Sequence, residues 1–278
     1  MMLVKKSFDT GEVMLNYAEG PDNGPPILFI HGALGRWEDF SHYFPQFTEK
    51  FHVYAIDTRG RGKSGRAPGK YHLKYMAQDL ASFIETQIKE LTILLGHSEG
   101  GWIALWVAHL SPKNVSALVI LDSPITLDDF IAQGNEGPVR DWIQQTKSIL
   151  GRPTDEIMAI LREADPSRSP EAIKHSAISQ SLADTMYLDL WSQRRFEEYF
   201  EGYRAWDFLR DVGCPIMLVQ ADPDAGALLS HDDVKKALQM NPGIKHVLVE
   251  GVGHNLGTNL GEEPIDVEPI LSFLESLR

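Results

Sequence analysis

Short apolar runs recur along the chain and are separated by stretches with helical periodicity. An alternating pattern at Met2–Phe8 and Val13–Tyr17, around a turn at residues 9–11, predicts a hairpin. The later runs are Ile27–Ile30, His52–Ile56, Leu91–Leu95, Val115–Leu121, Ile216–Val219 and His246–Val249. Unbroken apolar runs of this length are typical of parallel strands that are covered on both faces.

Amphipathic stretches lie between these runs. One helical face collects Leu73, Met76, Leu80, Phe83 and Ile84, and another collects Val267, Ile270, Leu271, Leu274 and Leu277. Strands that alternate with helices predict an α/β fold, in which a doubly wound, mostly parallel sheet carries helices on both sides.

The interval 123–203 breaks this alternation. It has a helical pattern and a high density of aromatic residues, namely Trp142, Tyr187, Trp191, Phe196, Tyr199, Phe200 and Tyr203. We therefore expect residues 123–203 to form a helical cap or lid, inserted into a core domain made of residues 1–122 and 204–278. The aromatic side chains fit either the core of this lid or the lining of an acyl pocket.

Composition and charge limit the classes of function. The 278 residues are 43 % hydrophobic and 23 % charged, which suits an ordinary globular protein, and the single Cys214 excludes an internal disulfide. With 26 Lys and Arg against 39 Asp and Glu, the net charge of −13 disfavours nucleic acid and anionic membranes as partners. The first twelve residues lack the apolar stretch of a signal peptide, so we expect a cytoplasmic protein.

The segment Gly96–Gly100 has the form G-x-S-x-G between a predicted strand and a predicted helix at Ile103–Leu110. Glycines on both sides of a serine leave room for a sharp strand-to-helix turn that lifts the hydroxyl above the sheet edge. The free amides and the dipole at the start of the helix favour an oxyanion there. The pattern predicts that Ser98 is a nucleophile.

A serine nucleophile needs a base and an acid that orients the base. His254 follows the last predicted strand and is the candidate base. The acid is expected at the end of the preceding strand, where the chain offers Asp222 and Asp224. The order serine, acid, histidine along the chain is that of the α/β hydrolases.

Taken together, these motifs resemble the α/β-hydrolase fold family over essentially the whole chain, and in particular its serine esterase, lactonase and haloperoxidase-like branch. His31-Gly32-Ala33 resembles the family's HG loop, and residues 57–64 resemble its D-x-R-G-x-G-x-S loop. The resemblance implies an oxyanion hole made by the backbone N–H groups of Ala33 and Glu99.

The resemblance also bears on the acid. The family usually has glycine three residues before its acid, and Ala221 occupies that place, which puts Asp224 in register. Asp222 is adjacent, and some members take the acid from the strand after the nucleophile helix, where Asp122 stands. The predicted triad is Ser98, Asp224 and His254, with Asp222 and Asp122 as the alternatives.

Other motifs have simpler interpretations. Residues 60–65 match G-x-G-x-x-G, but Pro68 and Gly69 prevent the helix that a dinucleotide site requires. No His, Cys, Asp and Glu cluster has metal-ligand spacing, so neither a metal nor a cofactor is expected. We expect His31 and His97 to make structural hydrogen bonds, and the Glu99 carboxylate to be solvated at a helix N-terminus.

The sequence therefore predicts a serine hydrolase that cleaves a carboxylic ester, or a similar acyl substrate of a small molecule, through an acyl-enzyme. A serine in place of aspartate argues against haloalkane dehalogenase and epoxide hydrolase chemistry. The alternatives are C–C bond hydrolysis, perhydrolysis, cofactor-free oxygenase or lyase chemistry, and a small-molecule receptor with vestigial hydrolysis. A monomer and a homodimer both fit the sequence.

Overall fold

A computed structural model describes residues 3–278, and its centre is an eight-stranded sheet. The strands are β1 (Val4–Asp9), β2 (Met14–Glu19), β3 (Pro26–Ile30), β4 (His52–Ile56), β5 (Thr92–His97), β6 (Val115–Leu121), β7 (Ile216–Ala221) and β8 (Lys245–Val249). Their order across the sheet is β1-β2-β4-β3-β5-β6-β7-β8. The first two strands form the predicted hairpin, although Met2, its predicted first residue, lies outside the described residues.

Strand β2 runs antiparallel to both β1 and β4, and all other neighbouring strands are parallel. The predicted mostly parallel α/β sheet is confirmed. Within β3, Leu28 and Ile30 belong to one hydrophobic core, whereas Ile27 and Phe29 belong to the core on the other face. The unbroken apolar sequence of this strand thus follows from its burial on both sides.

The helices fall into two groups. Those that flank the sheet are α1 (Phe44–Phe47), α2 (Leu73–Phe83), α3 (Glu99–Leu110), α10 (Ala205–Asp211), α11 (His231–Met240) and α12 (Glu268–Glu275). Between β6 and β7 the chain adds α4 (Leu127–Glu136), α5 (Pro138–Ile149), α6 (Thr154–Ala164), α7 (Pro170–Leu182), α8 (Asp189–Ser192) and α9 (Phe196–Tyr199). No helix in residues 3–278 is long and apolar enough to cross a membrane.

Aromatic side chains fix this helical insertion onto α3. The Trp102 ring of α3 makes an edge contact with Phe200 at 4.9 Å and with Phe130 at 5.0 Å between ring centroids. Trp191, only 3 % exposed, packs edge-on against Tyr199 at 5.1 Å. Because such edge-to-face pairs add to the free energy of apolar burial, they hold the insertion in a defined position against α3.

Asp233 of α11 anchors the chain where it leaves β6 for the insertion. Its buried carboxylate accepts hydrogen bonds from the backbone N–H groups of Ile125 and Thr126, at 3.0 and 2.9 Å. The Ser230 hydroxyl caps the start of the same helix by accepting from the Asp233 N–H. One carboxylate therefore fixes the segment just after the carboxyl end of β6.

We expect Asp233→Ala to lower the free energy of unfolding by roughly 2–3 kcal/mol, because it leaves two largely buried N–H groups without an acceptor. Asp232→Ala is the matched control, since it removes an exposed carboxylate from the same turn of α11. Urea unfolding monitored by circular dichroism measures both variants. Equal stabilities would show that Asp233 anchors nothing.

Candidate active site

Ser98 lies at a sharp turn between β5 and α3, with φ +53° and ψ −121°. A non-glycine residue at positive φ is strained, and the surrounding chain must hold it there. A Cβ atom at Gly96 would collide with the carbonyl oxygen of Gly100, and one at Gly100 would collide with that of Ile30. Both flanking glycines are therefore required by close backbone packing, as the G-x-S-x-G pattern predicts.

His254 follows β8 and lies between the serine and a carboxylate. Its Nε2 is 3.0 Å from the Ser98 hydroxyl oxygen, and its Nδ1 is 2.7 Å from Oδ2 of Asp122. In the neutral state the ring therefore donates from Nδ1 to the carboxylate and presents the Nε2 lone pair to the hydroxyl. This is the arrangement of a general base beside a nucleophile.

Asp122 comes directly after β6 and is fully buried, with φ +42°. Its two oxygens accept hydrogen bonds from the backbone N–H groups of Ala221, Leu228 and Leu229, at 3.1, 2.8 and 3.3 Å, besides the bond from the histidine. Four donors compensate for the burial of the charge, and they fix the carboxylate in one orientation.

The prediction of Asp224 as the partner of the histidine is wrong. Asp224 is exposed in a short turn at residues 223–225, and its N–H donates to Oδ1 of Asp222 at 2.9 Å. Asp222 also accepts from the Gly251 N–H, and these backbone hydrogen bonds lower its pKa. The Asp222 carboxylate therefore stabilises a surface turn, to which Asp224 contributes its backbone N–H. The third alternative, Asp122, is the one that contacts His254.

The role of the Ala33 and Glu99 N–H groups as oxyanion donors stays a prediction. Neither the Ala33 nor the Glu99 N–H makes a hydrogen bond to another group in residues 3–278. Ala33 and Ser98 line the same cavity, and a Cβ at Gly32 would lie 3.3 Å from the Ser98 Cβ. The HG loop therefore packs against the turn that holds the serine, with two backbone donors still available.

His31 and His97 have the structural roles expected for them. His31 Nε2 accepts from the Thr58 N–H at 3.0 Å, so its Nδ1 donates to the Gly32 carbonyl at 2.7 Å. His97 Nε2 donates to the backbone carbonyl of His254 at 2.8 Å and so fixes the loop that carries the base. Burial lowers the pKa of both imidazoles to about 3. The charge of Arg61 adds to this effect at His31, and the charge of His254 adds to it at His97.

The expectation for Glu99 is wrong. Its side chain is fully buried, and it accepts hydrogen bonds from the hydroxyls of Tyr187 and Tyr199 and from Arg61 Nη2. The helix-start pattern suggested a solvated acid, but it carries no information about the insertion, which covers this position and supplies both tyrosines.

A cavity of about 850 Å³ opens in front of Ser98 and His254. The apolar part of its lining includes Trp102, Phe130, Val139, Trp142, Trp191 and Leu228. The polar part includes Arg168, His175, Ser176, Ser179 and Gln180, which lie on or just before α7. The insertion thus contributes both apolar and polar side chains to the lining, and Trp142 and Trp191 are among the apolar ones.

A buried network joins the loop after β3 to α7, and the sequence motifs gave no indication of it. Arg36 donates to Nδ1 of His175 at 2.9 Å and to the Ser179 hydroxyl at 3.0 Å. His175 in turn donates from Nε2 to Asp39 at 2.7 Å. These residues are far apart in sequence, and only the folded insertion brings them together.

The buried histidines predict a loss of stability at acidic pH. The pKa of His97 is about 3 in the folded protein and near 6.5 in an unfolded chain, so the unfolded chain binds a proton first as the pH falls. The stabilisation is complete above pH 6.5 and declines below it, by about 2 kcal/mol between pH 7 and 5 for this residue.

His97→Asn isolates this contribution, because an amide can still donate to the His254 carbonyl but does not titrate. The free energy of unfolding, measured in urea at pH 7 and 5, should fall less in His97→Asn than in the wild type. An equal fall in both proteins would show that His97 takes up its proton in the folded state.

Comparisons with known proteins show the family and the fold. The family model described as "Alpha/beta hydrolase family" matches residues 27–267. The 2-(acetamidomethylene)succinate hydrolase of Mesorhizobium japonicum is 25 % identical over 277 residues, which cover 98 % of this chain and 96 % of that protein. A putative esterase/lipase of Haemophilus influenzae is 32 % identical over 109 residues, or 39 % of this chain and 38 % of the relative.

Two solved structures share the fold. The crystal structure of E-2-(acetamidomethylene)succinate hydrolase has a TM-score of 0.75 at 21 % identity and covers 99 % of this chain and 98 % of its own. The crystal structure of an N-formylmaleamic acid deformylase from Pseudomonas putida S16 has a TM-score of 0.72 at 20 % identity. The match covers 98 % of this chain and 100 % of that chain. The matched family model, which spans β3 to the start of α12, shows that this chain belongs to the α/β hydrolase family.

Proposed function

We propose that this protein is a serine hydrolase that cleaves a carboxylic ester, or a related acyl compound of small size, through a Ser98–His254–Asp122 triad. The observation that carries the proposal is the continuous hydrogen-bonded path from the Ser98 hydroxyl through both ring nitrogens of His254 to the buried Asp122 carboxylate. An α/β hydrolase with these three groups in contact has a nucleophile, a base and an orienting acid.

In the proposed reaction, the Ser98 oxygen attacks the substrate carbonyl while His254 Nε2 takes the hydroxyl proton. Asp122 stabilises the imidazolium through the Nδ1–H bond, and the Ala33 and Glu99 N–H groups bind the oxyanion. The imidazolium then returns the proton to the leaving group, and an acyl-enzyme remains. Water, deprotonated by the same histidine, attacks the acyl carbon and releases the acid and the free serine.

We further propose that residues 123–203 act as a lid that selects the substrate. The cavity of about 850 Å³ is large enough for a small molecule, and this segment supplies both apolar and polar side chains to its lining. The apolar side chains suit the acyl chain of a substrate, and the polar side chains of α7 suit a hydrophilic group. We expect a substrate to combine both kinds of group.

A second candidate reaction is hydrolysis of an amide in a carboxylate-bearing compound. The full-length match to a 2-(acetamidomethylene)succinate hydrolase favours it, because that name describes an acylated nitrogen beside two carboxylates. The cavity carries Arg168, which can pair with a carboxylate. The same triad performs both reactions, and they differ in whether His254 protonates an alkoxide or an amine.

Ser98→Ala and His254→Ala should each reduce turnover by several powers of ten. The first removes the oxygen that attacks the carbonyl, and the second removes the base that accepts its proton. The assay is hydrolysis of p-nitrophenyl esters from acetate to decanoate, and the chain-length optimum measures the acyl side of the cavity. A fluorophosphonate probe should label the wild type and leave Ser98→Ala unlabelled.

Labelling without ester turnover would favour the second candidate, and acetamido and formamido dicarboxylates would then be the substrates to assay. Ester turnover that survives Ser98→Ala near the wild-type rate would contradict the triad. Absence of both labelling and turnover would favour a receptor with vestigial hydrolysis.

The acid can be tested by three matched substitutions. Asp122→Asn should lower kcat by about 10⁴-fold, because an amide at this position fixes the histidine in the wrong tautomer. Asp224→Asn should leave kcat within about twofold, since that side chain is exposed and does not contact His254. Asp222→Asn serves as a second control in the same turn. The assignment fails if Asp122→Asn is not the most impaired of the three.

A further inference from the structure

The Glu99 side chain lies immediately behind the proposed oxyanion hole. Glu99 follows Ser98 in sequence, and its backbone N–H is one of the two proposed oxyanion donors. Its carboxylate does not line the cavity and is fully buried. Because the side chain and the donor N–H belong to one residue at the start of α3, whatever holds the carboxylate also restricts the position of the N–H.

Three groups from two distant segments hold this carboxylate. The Tyr187 hydroxyl donates to Oε1 at 2.6 Å, the Tyr199 hydroxyl donates to the same oxygen, and Arg61 Nη2 donates to Oε2 at 3.0 Å. Both tyrosines belong to the helical insertion, whereas Arg61 lies in the loop after β4. Burial and the charge of Glu99 raise the pKa of both tyrosines well above the ordinary value, so their hydroxyls remain donors.

Arg61 makes this arrangement compatible with an oxyanion nearby. An unpaired carboxylate one residue from the reacting serine would repel the negative charge that develops on the substrate oxygen. The fully buried guanidinium is paired with Glu99 and stacks 4.0 Å from the centre of the Tyr187 ring. The pair is therefore close to neutral, and the carboxylate can serve as a rigid anchor.

A buried ion pair contributes little to stability compared with apolar packing, and breaking one is costly. Stability alone is thus a weak account of a cluster with this position. We propose that Glu99 is a positioning residue, and that Tyr187 and Tyr199 of the insertion hold its carboxylate so that the Glu99 N–H points at the oxyanion. This inference rests on the proposed serine hydrolase mechanism, and it makes the insertion part of the catalytic geometry.

The test uses Tyr187→Phe, Tyr199→Phe and the double variant, because each removes a hydroxyl and keeps the ring. Glu99→Gln leaves Arg61 buried without its counter-ion and can fail to fold, so it is the secondary variant. Tyr203→Phe is the matched control, since its hydroxyl makes no hydrogen bond to other described residues and lies in the same region of the insertion. Circular dichroism and melting temperature verify that each variant is folded.

For hydrolysis of p-nitrophenyl butyrate, we expect kcat to fall roughly tenfold in each single variant and more in the double variant, with KM within about twofold. Butylboronic acid gives an independent measure, since the serine oxygen bonds to boron and the boron-bound oxygen occupies the oxyanion hole. Its affinity should fall by the same factor as kcat, and so should the rate of fluorophosphonate labelling. Tyr203→Phe should match the wild type in all three measurements.

Unchanged kcat, boronate affinity and labelling rate in the folded double variant would overturn the inference, and so would a rise in KM with kcat unchanged. Ser98→Ala, measured alongside, separates this failure from a failure of the proposed function. If Ser98→Ala is inactive while the tyrosine variants behave as the wild type, only the positioning role is lost. If Ser98→Ala retains turnover, the proposed triad itself is wrong.

Discussion

The buried Asp122 carboxylate is the interaction on which the geometry of the site depends. Its oxygens accept hydrogen bonds from backbone N–H groups at the end of β7 and at residues 228–229. They also accept a hydrogen bond from the Nδ1–H of His254. Three segments, each distant in sequence from Asp122, therefore converge on one pair of oxygens. Since a buried charge is tolerated only when its hydrogen bonds are complete, a shift of any one segment would be costly because it removes at least one of the four donors.

The sheet and the serine turn could be predicted because their sequence signals are local. The β3 strand is apolar at every position since both of its faces are buried, and Gly96 and Gly100 are required by contacts within a few residues or with the adjacent strand. These are constraints that a short window of sequence records. The position of His254 beside the serine was predictable for a related reason. The loop after the last strand begins at the same edge of the sheet as the turn that carries the serine.

The carboxylate that contacts His254 and the surroundings of Glu99 could not be predicted in this way. Two strand ends at the same edge carry aspartates, and the choice between Asp122 and Asp224 depends on how residues 223–229 fold back. That course brings the backbone N–H groups to Asp122 and leaves Asp224 in solvent. Ala221, in place of the usual glycine, was the one local sign that the common pattern did not apply.

The insertion reaches the proposed oxyanion hole from two sides. Arg36 and Asp39, close after Ala33, are bound by His175 and Ser179 of α7, while Glu99 is bound by the two tyrosines further along the insertion. The two segments that carry the proposed donors are thus both held by side chains of the insertion. A unit that only covered the cavity would need apolar contacts alone. Buried polar contacts have strict geometry. The position of the insertion therefore constrains both backbone segments that carry the proposed donors, the loop after β3 and the start of α3.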